Sequence, residues 1–519
     1  MSMGKRINMS SGRARKSTYN IGFSVISQSI LMVTGFILPQ LILSYLGSDV
    51  NGFLGSITQV FSYLDLMRAG VGMAAIQALY APIKKNNRQE QSHLISTSKA
   101  YFNRMGIFYF ISVVLVGIGF VWWGHLNLAP QQIFLCIFFQ GLAGCLSFSC
   151  IGFFTDLLRA EGKNYMITLI QTGGTILTQI LEIIVLLLTV NVVAMRAMTV
   201  LVVLLEMLLF RLYRKKYYPW LQLSLEPDFR KLKNKYSYLT FHITGLICTS
   251  TDTVLISFLC GFKLASVYVI YRLIINAVNS LINTIYSSTS FLLGHAYQDG
   301  LKEFTRVHDA YFLVYTTITT SLFTVCCVLM KPFISLYTIN ITDISYIYAG
   351  LPIMFCFIQI LTSCKNVGDI TINVGGYAKN VVWHAILEAS INLVLSLLLI
   401  PKMGIYGALI GTMASIIYRS IDVLCFSNHK VLQRSAIKNG KVLLLNIGLF
   451  VLISLLGSTF GYHVDSYFIF FIMAIIISVL LIILFFAVNL VFNRQERDII
   501  LYISKKYLNT IKQRYEIFN

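Results

Sequence analysis

The chain has 519 residues, of which 56% are hydrophobic and only 12% are charged, and its formal net charge at pH 7 is +20. This composition excludes an ordinary soluble protein, because about fourteen apolar stretches have the roughly twenty residues that a helix needs to cross the hydrocarbon of a membrane. Such a positive charge on a soluble protein would suggest a nucleic-acid partner. Here the cations lie in the loops between apolar stretches, so we expect an all-α integral membrane protein that binds membrane lipids and no nucleic acid.

The predicted spans fall into two groups of six and a final pair. After a basic N-terminus at 1–16, an N-lobe at 17–210 contains spans at 17–45, 49–80, 104–123, 131–157, 165–188 and 192–210. A linker at 211–236 leads to a C-lobe at 237–428, with spans at 237–260, 265–295, 310–330, 344–375, 380–400 and 405–426. The segment 429–493 holds two more spans, 442–460 and 466–492, and a basic tail occupies 494–519.

The cations are concentrated in alternate gaps between the spans. The gaps on one side include Lys84, Arg214 and Lys430 among many basic residues. The intervening gaps hold about three cations, at residues 263, 331 and 402. Because basic loops stay in the cytoplasm, we predict a multi-pass membrane protein with both termini cytoplasmic.

Short segments recur at a similar offset in the two predicted lobes. Residues 41–46 close the first span and resemble 254–259, which close the seventh. Leu181-Glu182 in the fifth span matches Leu387-Glu388 in the eleventh. Since an even number of spans separates each pair, both repeats enter the membrane from the same side. We predict two six-helix lobes related by a parallel pseudo-twofold axis along the membrane normal, with spans thirteen and fourteen outside the repeat.

The loops and reactive side chains argue against catalysis. The external gaps are too short to form a domain that holds an acceptor and catalytic acids, and no Walker motif occurs. The eight histidines are scattered singly, and the ten cysteines include no CxxC pair. We therefore expect a non-enzymatic transporter without a metal site or cofactor.

A line of polar residues follows one face of span eight. Its members step by three or four residues and are Arg272, Asn276, Asn279, Asn283 and Ser287. Such a face can line a water-filled cavity, because ionisable groups in the membrane avoid lipid. The alternative is that these side chains form hydrogen bonds between helices.

Span two repeats this pattern with Gln59, Ser62, Asp65 and Arg68. These residues could line the same cavity, and Asp65 is also a candidate for ion coupling. Asp65 and Arg68 could instead neutralise each other, because residues three apart on a helix are neighbours. Both interpretations remain open.

Other intramembrane charges have more than one interpretation. Lys365 with Asp369, and Arg419 with Asp422, have the spacing of ion pairs within a helix. Asp252 has no obvious local partner, so it is a candidate ion or proton site or one half of a salt bridge between lobes. Glu388 and its repeat counterpart Glu182 are candidates for pairing or ion coupling.

Three segments resemble the Wzx-type polysaccharide flippases of the MOP superfamily, above all the Gram-positive exporters of capsule or exopolysaccharide repeat units. The first combines 46–52, 62–65 and 69–72, where Arg68 differs from the acidic residue of the relatives. The second combines 250–253 and 266–268, and the third combines 387–392 and 400–408. The resemblance covers about residues 15 to 430.

The resemblance implies a flippase that moves a polyprenyl-pyrophosphate-linked oligosaccharide to the outer leaflet by alternating access. Arg68, Arg272 and Lys365 would attract the anionic head group, and asparagine and serine side chains would meet its hydroxyls. The implied partners are an undecaprenyl-type lipid-linked glycan, a polysaccharide polymerase and glycosyltransferases. The alternatives are a MATE-like drug or cation antiporter and, from a different class, a membrane polysaccharide polymerase or acyltransferase.

Overall fold

Helices make up almost the whole structure, a computed structural model that describes residues 3–123, 126, 128–231, 250–459, 464 and 466–498, without the side chains of 3–29, 33, 66–71, 288–292, 295, 458 and 459. It is 88% helical, and the described residues contain no strand, which confirms the predicted all-α fold. Contacts divide the chain into two compact units, Met1–Ser266 and Val267–Asn519. The predicted lobes at 17–210 and 237–428 and their pseudo-twofold relation stay predictions.

The predicted spans correspond to membrane-length helices with two exceptions. Twelve helices of the described residues are long and apolar enough to cross a membrane. Spans one and two lie within one helix, α1 (Met3–Lys84), whose membrane-length stretch is Ile30–Asp65. Of span seven, only a shorter apolar helix, α7 (Ser250–Cys260), lies in the described residues. The chain is thus a multi-pass membrane protein.

The first unit contains α1 to α7. The bounds of the helices between α1 and α7 are α2 (Arg88–Trp123), α3 (Pro130–Leu146), α4 (Gly152–Ala160), α5 (Asn164–Thr189) and α6 (Val192–Tyr217). A π-helical turn at Ser147–Ile151 joins α3 to α4. Helix α2 begins well before the predicted start at residue 104, because its first turns are polar and hydropathy detects only the apolar part of a helix.

Glycine breaks the two helices that end in the repeated segment. Helix α1 is interrupted at Gly47, where φ is 83° and ψ is 174°. Gly261, which separates α7 from the next helix, has φ of 93°. Positive φ values are costly for residues with a Cβ, so glycine ends the helical run at both places. The similarity of 41–46 to 254–259 therefore extends to the backbone that follows.

Aromatic rings form the centre of the first unit. The Phe53 ring lies edge-on to the rings of Phe120 and Phe262, at centroid distances of 5.8 and 5.7 Å. Phe53 is completely buried, and the other two are nearly so. Edge-to-face pairs at this spacing stabilise a core beyond the area that they bury. They fix α1 and α2 against the segment that follows α7.

Residues 218–230 of the predicted linker form a strap across the start of α2. Ser96 Oγ donates to the carbonyl of Leu225 at 2.6 Å, and the backbone amide of Asp228 donates to Thr97 Oγ1 at 3.0 Å. At the beginning of the strap, the Tyr218 hydroxyl donates to Glu161 at 2.5 Å and accepts from Lys163 at 2.7 Å. These bonds bind the described part of the linker, up to Lys231, to the first unit.

The second unit contains seven helices, the first of which crosses the boundary between the units. Their bounds are α8 (Phe262–Gln298), α9 (Leu301–Tyr337), α10 (Leu351–Val374), α11 (Val382–Met403), α12 (Ile405–Phe426), α13 (Ile437–Thr459) and α14 (Tyr467–Phe492). Gly404, with φ of 57°, makes the tight turn between α11 and α12.

Helices α13 and α14 cover α9, the most buried span of the described residues. The ring of Phe333 in α9 lies 5.4 Å from that of Phe470 in α14. Asn446 in α13 and Asn489 in α14 exchange amide hydrogen bonds of 2.9 and 3.0 Å. Reciprocal amide bonds satisfy both polar groups within the membrane, so they tie the two helices together.

An ionic cluster joins the start of α9 to the last two helices. The Asp309 carboxylate accepts from both terminal nitrogens of Arg434, one of them at 2.7 Å, and from Lys438 at 3.0 Å. Lys438 Nζ also lies 2.5 Å from Glu496, beyond the end of α14. The carboxylate of Asp309 is buried, and these cations compensate its charge.

Candidate functional site

The polar face predicted on span eight exists on α8. Asn276, Asn283 and Ser287 are exposed, and Asn279 donates from Nδ2 to Gln359 Oε1 of α10 at 2.9 Å. The guanidinium of Arg272 lies 6.0 Å from the centroid of the Tyr268 ring on the preceding turn. Asn279 therefore bonds between helices, and a role of this face in a substrate cavity stays a prediction.

The exposed members of this face need a polar environment. They lie within Phe262–Ser287, the part of α8 that is long and apolar enough to span the membrane. Lipid offers no hydrogen bonds to amides or hydroxyls, and each unsatisfied group there costs several kcal/mol. Protein groups or water have to provide these bonds, and Ser287 Oγ donates to the carbonyl of Thr284 at 3.1 Å.

A network of six ionisable side chains connects α10, α11 and α12. Lys365 Nζ lies 3.1 Å from Glu388, and Arg419 lies 3.5 Å from Glu388 and 3.7 Å from Asp369. The Arg419 guanidinium also donates to Asp422, which confirms that predicted pair, and Asp422 is 2.8 Å from His384. The network thus combines three carboxyl groups with two permanent cations and one imidazole.

This network changes one predicted contact. The expected pair of Lys365 with Asp369 is wrong, because Lys365 reaches across to Glu388 on the neighbouring helix and Asp369 pairs with Arg419. A carboxylate on a neighbouring helix can take the place of one that lies a turn away on the same helix, when helix packing brings the neighbouring carboxylate closer to the lysine. Lys365 and Glu388, predicted for substrate and ion binding, therefore lie in one ionic network.

In the first unit, three polar pairs join the second half of α1 to α7 and to the first turn of α8. Asn51 donates to Ser266 at 2.7 Å, Ser56 bonds to Ser257, and the hydroxyls of Tyr63 and Thr251 are 2.5 Å apart. This row of bonds holds the helix that carries Asp252, one of the ion-site candidates. Asp252 is buried, only 3% exposed.

The structure describes the side chains of two candidate residues on α1 and leaves out that of a third. Gln59 is half-buried and Asp65 is exposed. The side chain of Arg68 lies outside the described residues. The choice between a cavity role and an ion pair of Asp65 with Arg68 thus stays a prediction.

Glu182 forms a buried ion pair, but it is not the counterpart of Glu388. Its carboxylate lies 2.8 Å from Arg196 and accepts from Thr199 at 3.1 Å. It lies seven residues before the end of α5, whereas Glu388 lies fifteen before the end of α11. The match of the two Leu-Glu pairs is therefore wrong, because two residues in a leucine-rich helix do not define a register.

Sequence reasoning missed three functional candidates: Arg196, Glu206 and His384. The i,i+4 spacing of His384 and Glu388 was a visible signal, although the histidine bonds to Asp422 instead. Glu206 was visible as an acidic residue in the middle of a span. Among the described residues, no group of three or more His, Cys, Asp or Glu side chains could hold a metal.

Comparison with known proteins identifies the fold. No family model matches the chain, and no curated protein sequence matches it. The lipid II flippase MurJ in an inward closed conformation is similar in structure, with a TM-score of 0.66 at 14% identity over 92% of this chain and 99% of MurJ.

Transporters of another kind are similar to nearly the same degree. An inward-facing multidrug resistance MATE family transporter of the MOP superfamily gives a TM-score of 0.64 at 16% identity, over 79% of this chain and 99% of that one. An outward-facing MATE transporter gives 0.57 at 15% identity, over 80% and 97%. The chain thus has the fold of MOP-superfamily transporters.

Proposed function

We propose that the chain is a flippase that moves a polyprenyl-pyrophosphate-linked oligosaccharide to the outer leaflet of the bacterial cytoplasmic membrane for cell-surface polysaccharide synthesis. The observation that carries this proposal is the polar face of α8, where Arg272 lies on a membrane helix together with exposed amide and hydroxyl groups. A ligand for such a face is anionic at one point and rich in hydroxyls elsewhere. A pyrophosphate-linked sugar has both properties.

Electrostatics favour Arg272 as the anchor of the head group. The attraction between a cation and a diphosphate is much stronger in a poorly hydrated site than in water. The planar guanidinium also donates two parallel hydrogen bonds to phosphate oxygens. Asn276 and Asn283 are exposed on the same face, where they can donate to and accept from sugar hydroxyls. Transport of this kind needs no covalent chemistry.

The structural likeness gives further support. The similarity to the lipid II flippase extends over 92% of this chain, more than the 79% and 80% for the two MATE transporters. At these identities, the difference in coverage concerns the fold alone. It favours a flippase in that this chain shares more of its fold with the lipid II flippase than with the two MATE transporters.

The second candidate is a MATE-like exporter of cationic compounds. Two acidic side chains in the first unit favour it, Asp252 in α7 and Glu206 in α6, because carboxylates attract cations. The TM-scores of 0.64 and 0.66 do not separate the two candidates.

Ligand binding by the purified protein tests the choice. We expect saturable binding of undecaprenyl pyrophosphate in detergent, and Arg272→Glu should weaken it by about tenfold or more, equivalent to about 1.4 kcal/mol. Arg272→Lys should bind with intermediate affinity, because the charge survives and the fork is lost. Arg306→Glu is the matched control. Arg306 is 42% exposed, and its distance of 3.9 Å from Glu303 is long for an ion pair.

Two results would overturn the flippase proposal. One is unchanged binding of undecaprenyl pyrophosphate by a folded Arg272→Glu protein. The other is saturable binding of the cationic dye ethidium that Asp252→Asn abolishes, which would establish the second candidate. In cells, surface glycan and protein abundance should be measured together, and Arg272→Glu should lose glycan export while its abundance stays near normal.

A further inference from the structure

A groove between α5 and α6 opens on the surface of the first unit. Its volume is about 490 Å³, and its walls are almost entirely apolar, with Leu169 and Leu177 from α5 and Leu205 and Leu209 from α6. Leu169, Leu205 and Leu209 are exposed. Because both helices are long and apolar enough to cross a membrane, lipid fills such a groove.

One carboxyl group lies in this apolar groove. Glu206 is half-buried and lines the groove from α6. It lies four residues before residue 210, where the predicted span ends and the basic end of α6 begins, which places it about 6 Å along the helix axis from that end. Glu206 is therefore inside the apolar part of α6, toward its basic end.

Glu206 differs from the other intramembrane glutamates in its partners. Glu182 has Arg196 at 2.8 Å, and Glu388 has Lys365 at 3.1 Å. No hydrogen bond or ion pair joins Glu206 to any described residue. An ionised carboxylate in hydrocarbon without a partner costs many kcal/mol, so the group keeps a proton instead.

The opposite helix leaves space for this carboxyl group. A Cβ atom added to Gly174 would lie 1.8 Å from Glu206 Oε1, whereas one added to Gly173 would meet nothing within 4 Å. A Cβ atom at residue 174 would therefore displace the carboxyl group from its present place in the groove. A glutamate that avoided the groove would not need this clearance.

The other titratable groups of the groove lie toward one end. Tyr213, Lys216 and Tyr217 line it from the last turns of α6, and α5 contributes no titratable lining residue. By the charge asymmetry of the loops, this end of α6 faces the cytoplasm. Lys216 and the tyrosine hydroxyls can hold water there, so a proton can enter along the groove.

We propose that Glu206 is a proton-binding site that faces the membrane lipid through the groove between α5 and α6, and that it serves proton coupling in this transporter. The carboxyl group binds the proton without a counterion and releases it when water reaches it. The proposal rests on the proposed function only in that the chain is a transporter. The site is the same whichever substrate moves.

Labelling with dicyclohexylcarbodiimide in native membranes tests the site without any substrate. This lipid-soluble reagent adds to a protonated carboxylic acid as an O-acylisourea, which rearranges to a stable N-acylurea, and the acid proton ends on nitrogen. Peptide mass spectrometry should find the adduct on Glu206 at a much higher level than on Glu182, because the Glu182 carboxylate is engaged by Arg196 at 2.8 Å. Glu206→Gln should remove this adduct and leave the others unchanged.

The controls separate proton binding from other roles. Labelling of Glu206 should fall as the pH is raised and should not respond to sodium. Gly174→Ala should change the labelling of Glu206, whereas Gly173→Ala should not, because only the first displaces the carboxyl group. Suppression of the labelling by sodium would falsify the proposal. A lack of adduct on Glu206 in membranes would also contradict it, provided that Glu206 of the detergent-unfolded protein is labelled at acid pH. Neither result depends on binding of undecaprenyl pyrophosphate.

Discussion

Glu388 compensates two cations inside the membrane, Lys365 and Arg419. The three side chains are 15%, 9% and 5% exposed for Lys365, Glu388 and Arg419. Charges removed from water to this degree depend on their partners, and loss of one partner leaves another charge buried and uncompensated. The stability of the second unit thus depends on a few atoms of α11.

Replacement of Glu388 by glutamine tests this dependence. We expect Glu388→Gln to lower the free energy of unfolding by about 3 kcal/mol, because Lys365 keeps its charge and loses the carboxylate that it contacts. Thermal melting of the purified protein measures the effect. Glu303→Gln is the control, since Glu303 is half exposed and 3.9 Å from Arg306, and its melting should match the wild type. A Lys365→Met/Glu388→Gln protein should recover part of the loss, and no recovery would contradict the pairing.

A second residue-scale prediction concerns Tyr218 at the start of the strap. Burial, together with its hydrogen bond to Glu161, raises the pKa of the Tyr218 phenol above its ordinary value of 10.0. The phenol is therefore favoured in its neutral form in the folded state, and its contribution is complete below pH 10.0 and is lost as the pH rises above that value. Melting temperatures should fall on alkalinisation more steeply in the wild type than in Tyr218→Phe. Equal slopes would show that this hydroxyl contributes no pH dependence.

At the scale of elements, close approach of backbones holds the segment after α7 against α1. A Cβ atom on Gly52 would lie 1.8 Å from the carbonyl oxygen of Phe262. The hydrogen bond from Asn51 to Ser266 lies beside this contact. Because a backbone oxygen cannot rotate away as a side chain can, this contact tolerates glycine alone.

Alanine at residue 52 should therefore destabilise the first unit. We expect Gly52→Ala to cost about 3 kcal/mol or more, since overpacking of this kind moves the backbone. Yield and melting temperature of the purified protein report the loss. Gly35→Ala in the same helix meets nothing within 4 Å and should behave as the wild type. Similar behaviour of the two variants would mean that the helices separate without cost.

Interactions within one helix were predictable from the sequence, whereas contacts between helices were not. Hydropathy located the spans, and the pair Arg419 with Asp422 was predictable because both lie on one helix face. The bond between Lys365 and Glu388 was not, since it depends on the relative rotation of α10 and α11. Hydropathy also placed the start of α2 too late, and the position of Glu206 opposite Gly174 could not be known before α5 and α6 were paired.

For the whole molecule, the charge asymmetry of the loops predicts the orientation in the membrane. Lys84, Arg214 and Lys430 should face the cytoplasm, and the gap around His463, outside the described residues, should be external. Single cysteines at these positions, in a chain without the ten native cysteines, can be tested with an impermeant thiol reagent in intact cells. Only position 463 should react. External labelling at position 214 would overturn the topology.

The cluster at Asp309 has a consequence for the order in which the protein is made. Arg434 and Lys438, which compensate this buried carboxylate, lie 125 and 129 residues later in the chain. At ribosomal rates of about 5 to 20 residues per second, a newly inserted α9 waits on the order of ten seconds for them. During that interval Asp309 has neither cation, and α13 and α14 do not yet cover α9. The second unit is therefore completed only near the end of synthesis, and the membrane insertion machinery has to shelter α9 until then.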